Sequence, residues 1–131
     1  MIGLDTNVLV RYIMQDDPKQ SPKATLIIES LDGVASGYVT LVSIVELVWV
    51  LSVSFELTRS QVAQALDGII RTKQFKIESA DQVIRALRVF KVGKSDFADC
   101  LIERSADSAG CEKTITFDVN ASKHARMSLI N

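Results

Sequence analysis

Short apolar runs alternate with helix-patterned stretches along this chain, and acids follow several of the runs. Ile2 and Leu4 lead directly into Asp5, and residues 113–117 end at Asp118. Residues 38–42 alternate and are β-branched enough for a strand, and residues 75–78 form a further short run. Between them, apolar residues recur at helical spacing. Ala24, Ile27, Ile28 and Leu31 form one such set, Val62, Leu66, Ile69 and Ile70 a second, and Val83, Ile84, Leu87 and Phe90 a third. Strands separated throughout by helices imply an α/β fold: a parallel sheet with helices on both faces.

Local signals place the element ends. Thr6 or Asn7 is a candidate cap for a helix over residues 8–14, which Asp16-Asp17-Pro18 breaks. Ser43 followed by Glu46 three residues on reads as a capping box, and the helix after it carries Val45, Val48, Trp49 and Val53 toward a core. Thr58, Ser79 and Ser95 stand where three further helices begin. Gly110 stops the last of these, and residues 120–127 make a short helix or loop.

The 131 residues suit a single domain, 1–131, long enough to bury a core. Hydrophobic residues make up 47% and charged ones 24%, with only two prolines and six glycines, which argues against long linkers. A formal charge of −1 does not advertise nucleic-acid binding, although bound divalent cations would reverse the local potential of an acid cluster. Cys100 and Cys111 lack CxxC spacing and read as free thiols of a reducing cytoplasm. The N-terminus carries no signal-peptide pattern. Residues 38–55 are apolar enough to suggest a membrane span, but Glu46 in their middle would cost roughly 2.5–3.5 kcal/mol on insertion. A strand turning into a buried helix explains them better.

Several acids occupy comparable places. Asp5 and Asp118 each follow a strand. Glu46 sits in the first turn of the helix after residues 38–42, and Asp96 and Asp99 in the first turn of the helix that Ser95 caps. In a parallel sheet these positions fall on one edge, where the sites of open α/β sheets form. Gathered carboxylates repel and are costly to bury unpaired, so a cation usually neutralises them. An all-oxygen set with no Cys or His suits Mg²⁺ or Mn²⁺, and such ions support phosphodiester hydrolysis by activated water.

Each acid also has a plainer reading. Asp5 alone is a helix-cap acid, Glu46 the second half of a capping box, and Asp118 beside Asn120 a strand-to-helix turn. Asp96, Asp99, Glu103 and Asp107 share a helical face opposite Ala98, Leu101, Ile102 and Ser105, which taken alone is a solvated stripe. Glu103 lies about 10 Å along the axis from Asp96, so only the first-turn acids stay candidates. His124 reads as a surface residue and Cys100 as core packing. No nucleophile elbow, P-loop or dinucleotide fingerprint is present.

LDTNVLVRYI at the start, Glu46 within VTLVSIVELVWVL, DFADCLI at 96–102 and TITFD at 114–118 resemble the PIN-domain ribonucleases, most of all the VapC-type toxins of prokaryotic toxin–antitoxin pairs. The resemblance covers nearly the whole chain, with the motifs in family order. It implies a three-layer α/β/α sandwich with a mostly parallel central sheet, and acids holding Mg²⁺ or Mn²⁺. By motif, Asp5, Glu46 and Asp99 match the first three family acids, and Asp118 the less constant fourth. Asp96 is an additional acid that supplements Asp99 or holds a second metal, and Asn7 and Thr116 match polar positions that support the acids. The implied activity is endonucleolytic cleavage of RNA, by a homodimer that a cognate antitoxin neutralises. Arg11, Lys91, Lys94, Lys123 and Arg126 are candidate phosphate contacts, or simply scattered solvated cations.

Two other classes remain at this point. One is a PIN-like scaffold that binds RNA or protein without cutting. The other is a receiver or phosphatase module, for which only Asp5 qualifies and Asn7 replaces the second acid of the required D-x-D-x-T pattern.

Overall fold

The computed structural model describes residues 1–131, which divide into two compact units, Met1–Glu78 and Ser79–Asn131. The first is built on three short parallel strands, β1 (Ile2–Gly3), β2 (Gly37–Val39) and β3 (Phe75–Ile77), in the order β1-β2-β3. Ile2 lies opposite Gly37, and Tyr38 opposite Lys76. Gly37 is forced by the packing: a Cβ there would stand 2.6 Å from the Leu4 side chain and 3.0 Å from that of Leu31.

Helices α1 (Thr6–Met14) and α2 (Gln20–Glu29) connect β1 to β2. Helix α3 (Leu41–Trp49), a π-helical stretch (Val50–Ser54) and α4 (Arg59–Arg71) connect β2 to β3. Helix α1 packs against both α2 and α3. Leu9, Ile28, Val39, Ile44, Leu47 and Leu66 are fully buried in this unit. At the start of α4 the Thr58 hydroxyl accepts from Gln61 N–H while the Gln61 side chain accepts from Thr58 N–H, a reciprocal cap.

The start of α3 differs from expectation. Thr40 is its N-cap, with its hydroxyl accepting from Ser43 N–H at 3.1 Å, and Glu78 accepts from Leu41 N–H at 2.9 Å. Capping by Thr40 gains an extra helical turn over capping by Ser43, so Glu46 lies in the second turn and belongs to no capping box. The buried stripe is Ile44, Leu47, Val48 and Leu51, whereas Trp49 and Val53 face outward, 60% and 55% exposed. Residues 38–55 thus become β2, α3 and a π-helical stretch, and no helix of the chain is long and apolar enough to cross a membrane.

The second unit holds α5 (Ala80–Val92), α6 (Phe97–Ser108), β4 (Ile115–Thr116), α7 (Val119–His124) and β5 (Ser128–Leu129). Strands β4 and β5 pair in parallel, Ile115 opposite Ser128. All strand pairing in the chain is therefore parallel, and hydrogen bonding divides the strands into a set of three and a set of two. Helices α5 and α6 pack along each other through Phe90 and Phe97, whose rings meet edge to face at 5.7 Å. Gly110, with φ +93°, ends α6 in the left-handed conformation that favours glycine.

Candidate active site

In the first unit the chain leaves β1 at Leu4 and turns into α1 at Asp5. Asp5 is extended (φ −73°, ψ 155°) and caps α1, its Oδ1 accepting from Thr6 N–H at 2.8 Å. The cap reading of this residue is therefore correct, yet it uses only one carboxylate oxygen. Thr6, itself buried, donates its hydroxyl to Glu46 Oε1. One residue thus touches both acids, its amide on Asp5 and its hydroxyl on Glu46. Asp5, Thr6, Asn7 and Glu46, together with Trp49 and Val50, line a pocket of about 320 Å³. Thr6 was expected only as a candidate helix cap, a role that Asp5 takes; the signal for its place in the site was its position between Asp5 and Asn7 in L-D-T-N.

In the second unit Asp96, not Ser95, caps α6, its Oδ1 accepting from Ala98 N–H at 3.4 Å. Both residues are good caps, but Ser95 is fully buried and its hydroxyl is occupied by Cys100 Sγ at 2.9 Å and the His124 carbonyl at 3.1 Å. Asp99 follows in the first turn of α6 and is half-buried. Asp118 caps α7, its Oδ1 accepting from Asn120 and Ala121 N–H, and the Thr116 hydroxyl accepts from Asp118 N–H at 3.0 Å. Thr116 thus holds the backbone of the acid it was expected to support.

Partial burial pushes the Asp99 carboxyl above the ordinary carboxylate range, and the negative charges of Asp96 and Asp118 push it further. The structure therefore brings Asp96, Asp99 and Asp118 into electrostatic contact in one unit and joins Asp5 to Glu46 in the other.

Other candidates resolve individually. Glu103 is buried rather than solvated, its two carboxylate oxygens accepting from Arg104 at 2.7 and 3.0 Å, and Ile102 on the supposed inner face is 55% exposed. Arg11 is engaged by Asp16 and Gln20. Cys100 is buried and Cys111 exposed, both as free thiols. His124 is half-exposed, and its carbonyl accepts from Ser95.

As metal donors these residues fit a hard cation. All five carboxylates offer oxygen alone, and protein donors occupy at most one oxygen of each, leaving the second open. No three Asp, Glu, His or Cys side chains are gathered tightly enough to chelate a metal alone. Mg²⁺ needs no such cage, since it keeps several waters and is commonly held by one or two carboxylates plus substrate phosphate.

Compared with families of known proteins, residues 2–127 match the family described as the PIN domain. Comparison with curated proteins gave no match.

Proposed function

Because the chain belongs to the PIN-domain family, whose members are generally metal-dependent nucleases, we propose that it is an Mg²⁺- or Mn²⁺-dependent endoribonuclease and the toxin of a toxin–antitoxin pair. The observation that carries this reading is the set of five carboxylates, each with an oxygen that no protein group engages. In this reading Asp5, Glu46, Asp99 and Asp118 are the acids available to hold metal, one or two to an ion with water and substrate phosphate completing its shell, and Asp96 is a further acid beside Asp99. When bound, the ion supplies neutralisation of phosphate charge and activation of water for hydrolysis.

The chain's own residues do the positioning. Thr6 fixes the Glu46 carboxylate through its hydroxyl on Oε1, leaving Oε2 without a protein donor, and Glu46 lines the pocket. Asn7 lines the same pocket and offers an amide to substrate or to Asp5. Thr116 holds the turn that presents Asp118. A cation beside Asp99 would favour its ionised form against the repulsion of its neighbours. The partners that complete the reading are RNA as substrate, a second copy of the chain in a homodimer, and a cognate antitoxin, all in the cytoplasm.

Induced expression in a bacterial host tests the toxin role. Growth should stop with wild type and continue with Asp5→Asn, and co-expression of a small DNA-binding protein encoded immediately upstream should restore growth. Equal growth of wild type and Asp5→Asn at equal protein levels would refute the toxin role.

A further inference from the structure

The second unit carries a cleft of about 690 Å³ whose charged lining is entirely basic: Arg85, Arg88, Arg104, Lys123 and Arg126, with His124 among them. In a chain of net charge −1, that is a local excess of one sign. Arg104 is neutralised by Glu103 and stands 3.8 Å from Asp107. Arg85, Arg88, Lys123 and Arg126 have no carboxylate partner. The dipole at the C-terminus of α7 accounts for Lys123 and His124 in its last turn, but not for Arg85 and Arg88 in the middle of α5.

The cleft is held in shape. Gly93 allows His124 to approach the end of α5, since a Cβ there would lie 3.2 Å from the His124 carbonyl oxygen and 3.3 Å from that of Val89. The Ser95 hydroxyl ties the same His124 carbonyl at 3.1 Å. Arg126 then adopts φ +62°, just past the end of α7, where glycine usually stands. A guanidinium thus occupies a strained backbone position on the rim of a cationic cleft.

Guanidinium forks match phosphate oxygens in pairs, and clustered cations without counter-charges invite an anion. Apart from His124 the lining offers no aromatic ring to stack a base, and it has no Asn or Gln to read one. Such a surface recognises the repeating backbone rather than a particular nucleotide. We propose that this cleft is a non-catalytic anchor for the phosphates of an RNA strand, binding it independently of sequence. That the strand is RNA rests on the nuclease reading; that the cleft binds phosphate does not.

The test is equilibrium binding of a fluorescein-labelled single-stranded RNA in EDTA, with affinity followed against salt. Arg85 and Arg88 are exposed, so Arg85→Ala/Arg88→Ala should fold normally, and Arg126→Gly suits the positive φ. At about 0.7 per phosphate on a single strand, the salt slope should become shallower by about 1.4 in the double variant and about 0.7 in Arg126→Gly. Arg71→Ala, an exposed cation of the other unit, should leave it unchanged. Wild-type affinity and slope in both cleft variants would overturn the proposal. Binding through the cleft without any cleavage in Mg²⁺ would uphold the anchor while refuting the nuclease reading.

Discussion

At the residue scale, the acids do two jobs that substitution can separate. Asp118 caps α7 through Asn120 and Ala121 N–H, and asparagine caps as well as aspartate. Asp118→Ala should therefore cost about 1 kcal/mol in urea denaturation, whereas Asp118→Asn should be nearly neutral in stability while still weakening cleavage. Asp99 makes a complementary prediction in pH. Its native pKa is raised, so the native state holds that proton more tightly than the unfolded chain. The stability it contributes is full below the unfolded value of about 3.9 and is lost as pH rises through the raised native value. Asp99→Asn removes that dependence. Without metal the variant should be more stable than wild type at pH 7, and the gain should vanish near pH 3. A gain that grows toward low pH would reverse the sign argued here.

At the element scale, what was legible depended on contrast between faces and between neighbours. Helix α4 was readable because Thr58 stands at its start and Val62, Leu66 and Ile69 make one buried stripe against polar residues. Helix α3 is apolar nearly all round, so periodicity gave no way to choose Ile44, Leu47 and Leu51 over Val45, Trp49 and Val53 as its inner face. The caps expected at Ser43 and Ser95 fall instead at Thr40 and Asp96, because of one more helical turn in the first case and contacts distant in sequence in the second. Strands of two or three residues leave almost no pattern, which is why residues 113–117 overshoot β4 and β5 went unforeseen. The burial of Glu103 was hidden because it shares a helical face with Asp96, Asp99 and Asp107, and nothing in that stripe marks its pairing with Arg104. Phe97 shows how an element positions an acid. It is fully buried two residues before Asp99, and Phe97→Ala should cost about 3–5 kcal/mol, read as an early urea midpoint.

At the scale of the whole molecule, the parallel α/β character and the family were both visible in the order of the motifs. The acids were visible as types and positions, and Asp5 and Asp118 also in their local turns, but the contacts that link one acid to another were not. The bridge from Thr6 to Glu46 and the influence of Asp118 on Asp99 depend on packing between segments apart in the chain.

The central claim is that these carboxylates support metal-dependent hydrolysis of RNA. The most direct measurement is cleavage of a labelled RNA by purified wild type, Asp5→Asn and Asp99→Asn in Mg²⁺, in Mn²⁺ and in EDTA, with circular dichroism confirming that all three are folded. Asparagine keeps the Asp5 cap, so lost activity there would not reflect a lost helix. The expected result is cleavage by wild type in either metal, none in EDTA, and a loss of at least a hundredfold (~10²) in both variants, equivalent to about 2.7 kcal/mol of transition-state stabilisation. Equal cleavage by all three proteins, or no cleavage by folded wild type in either metal, would contradict the account.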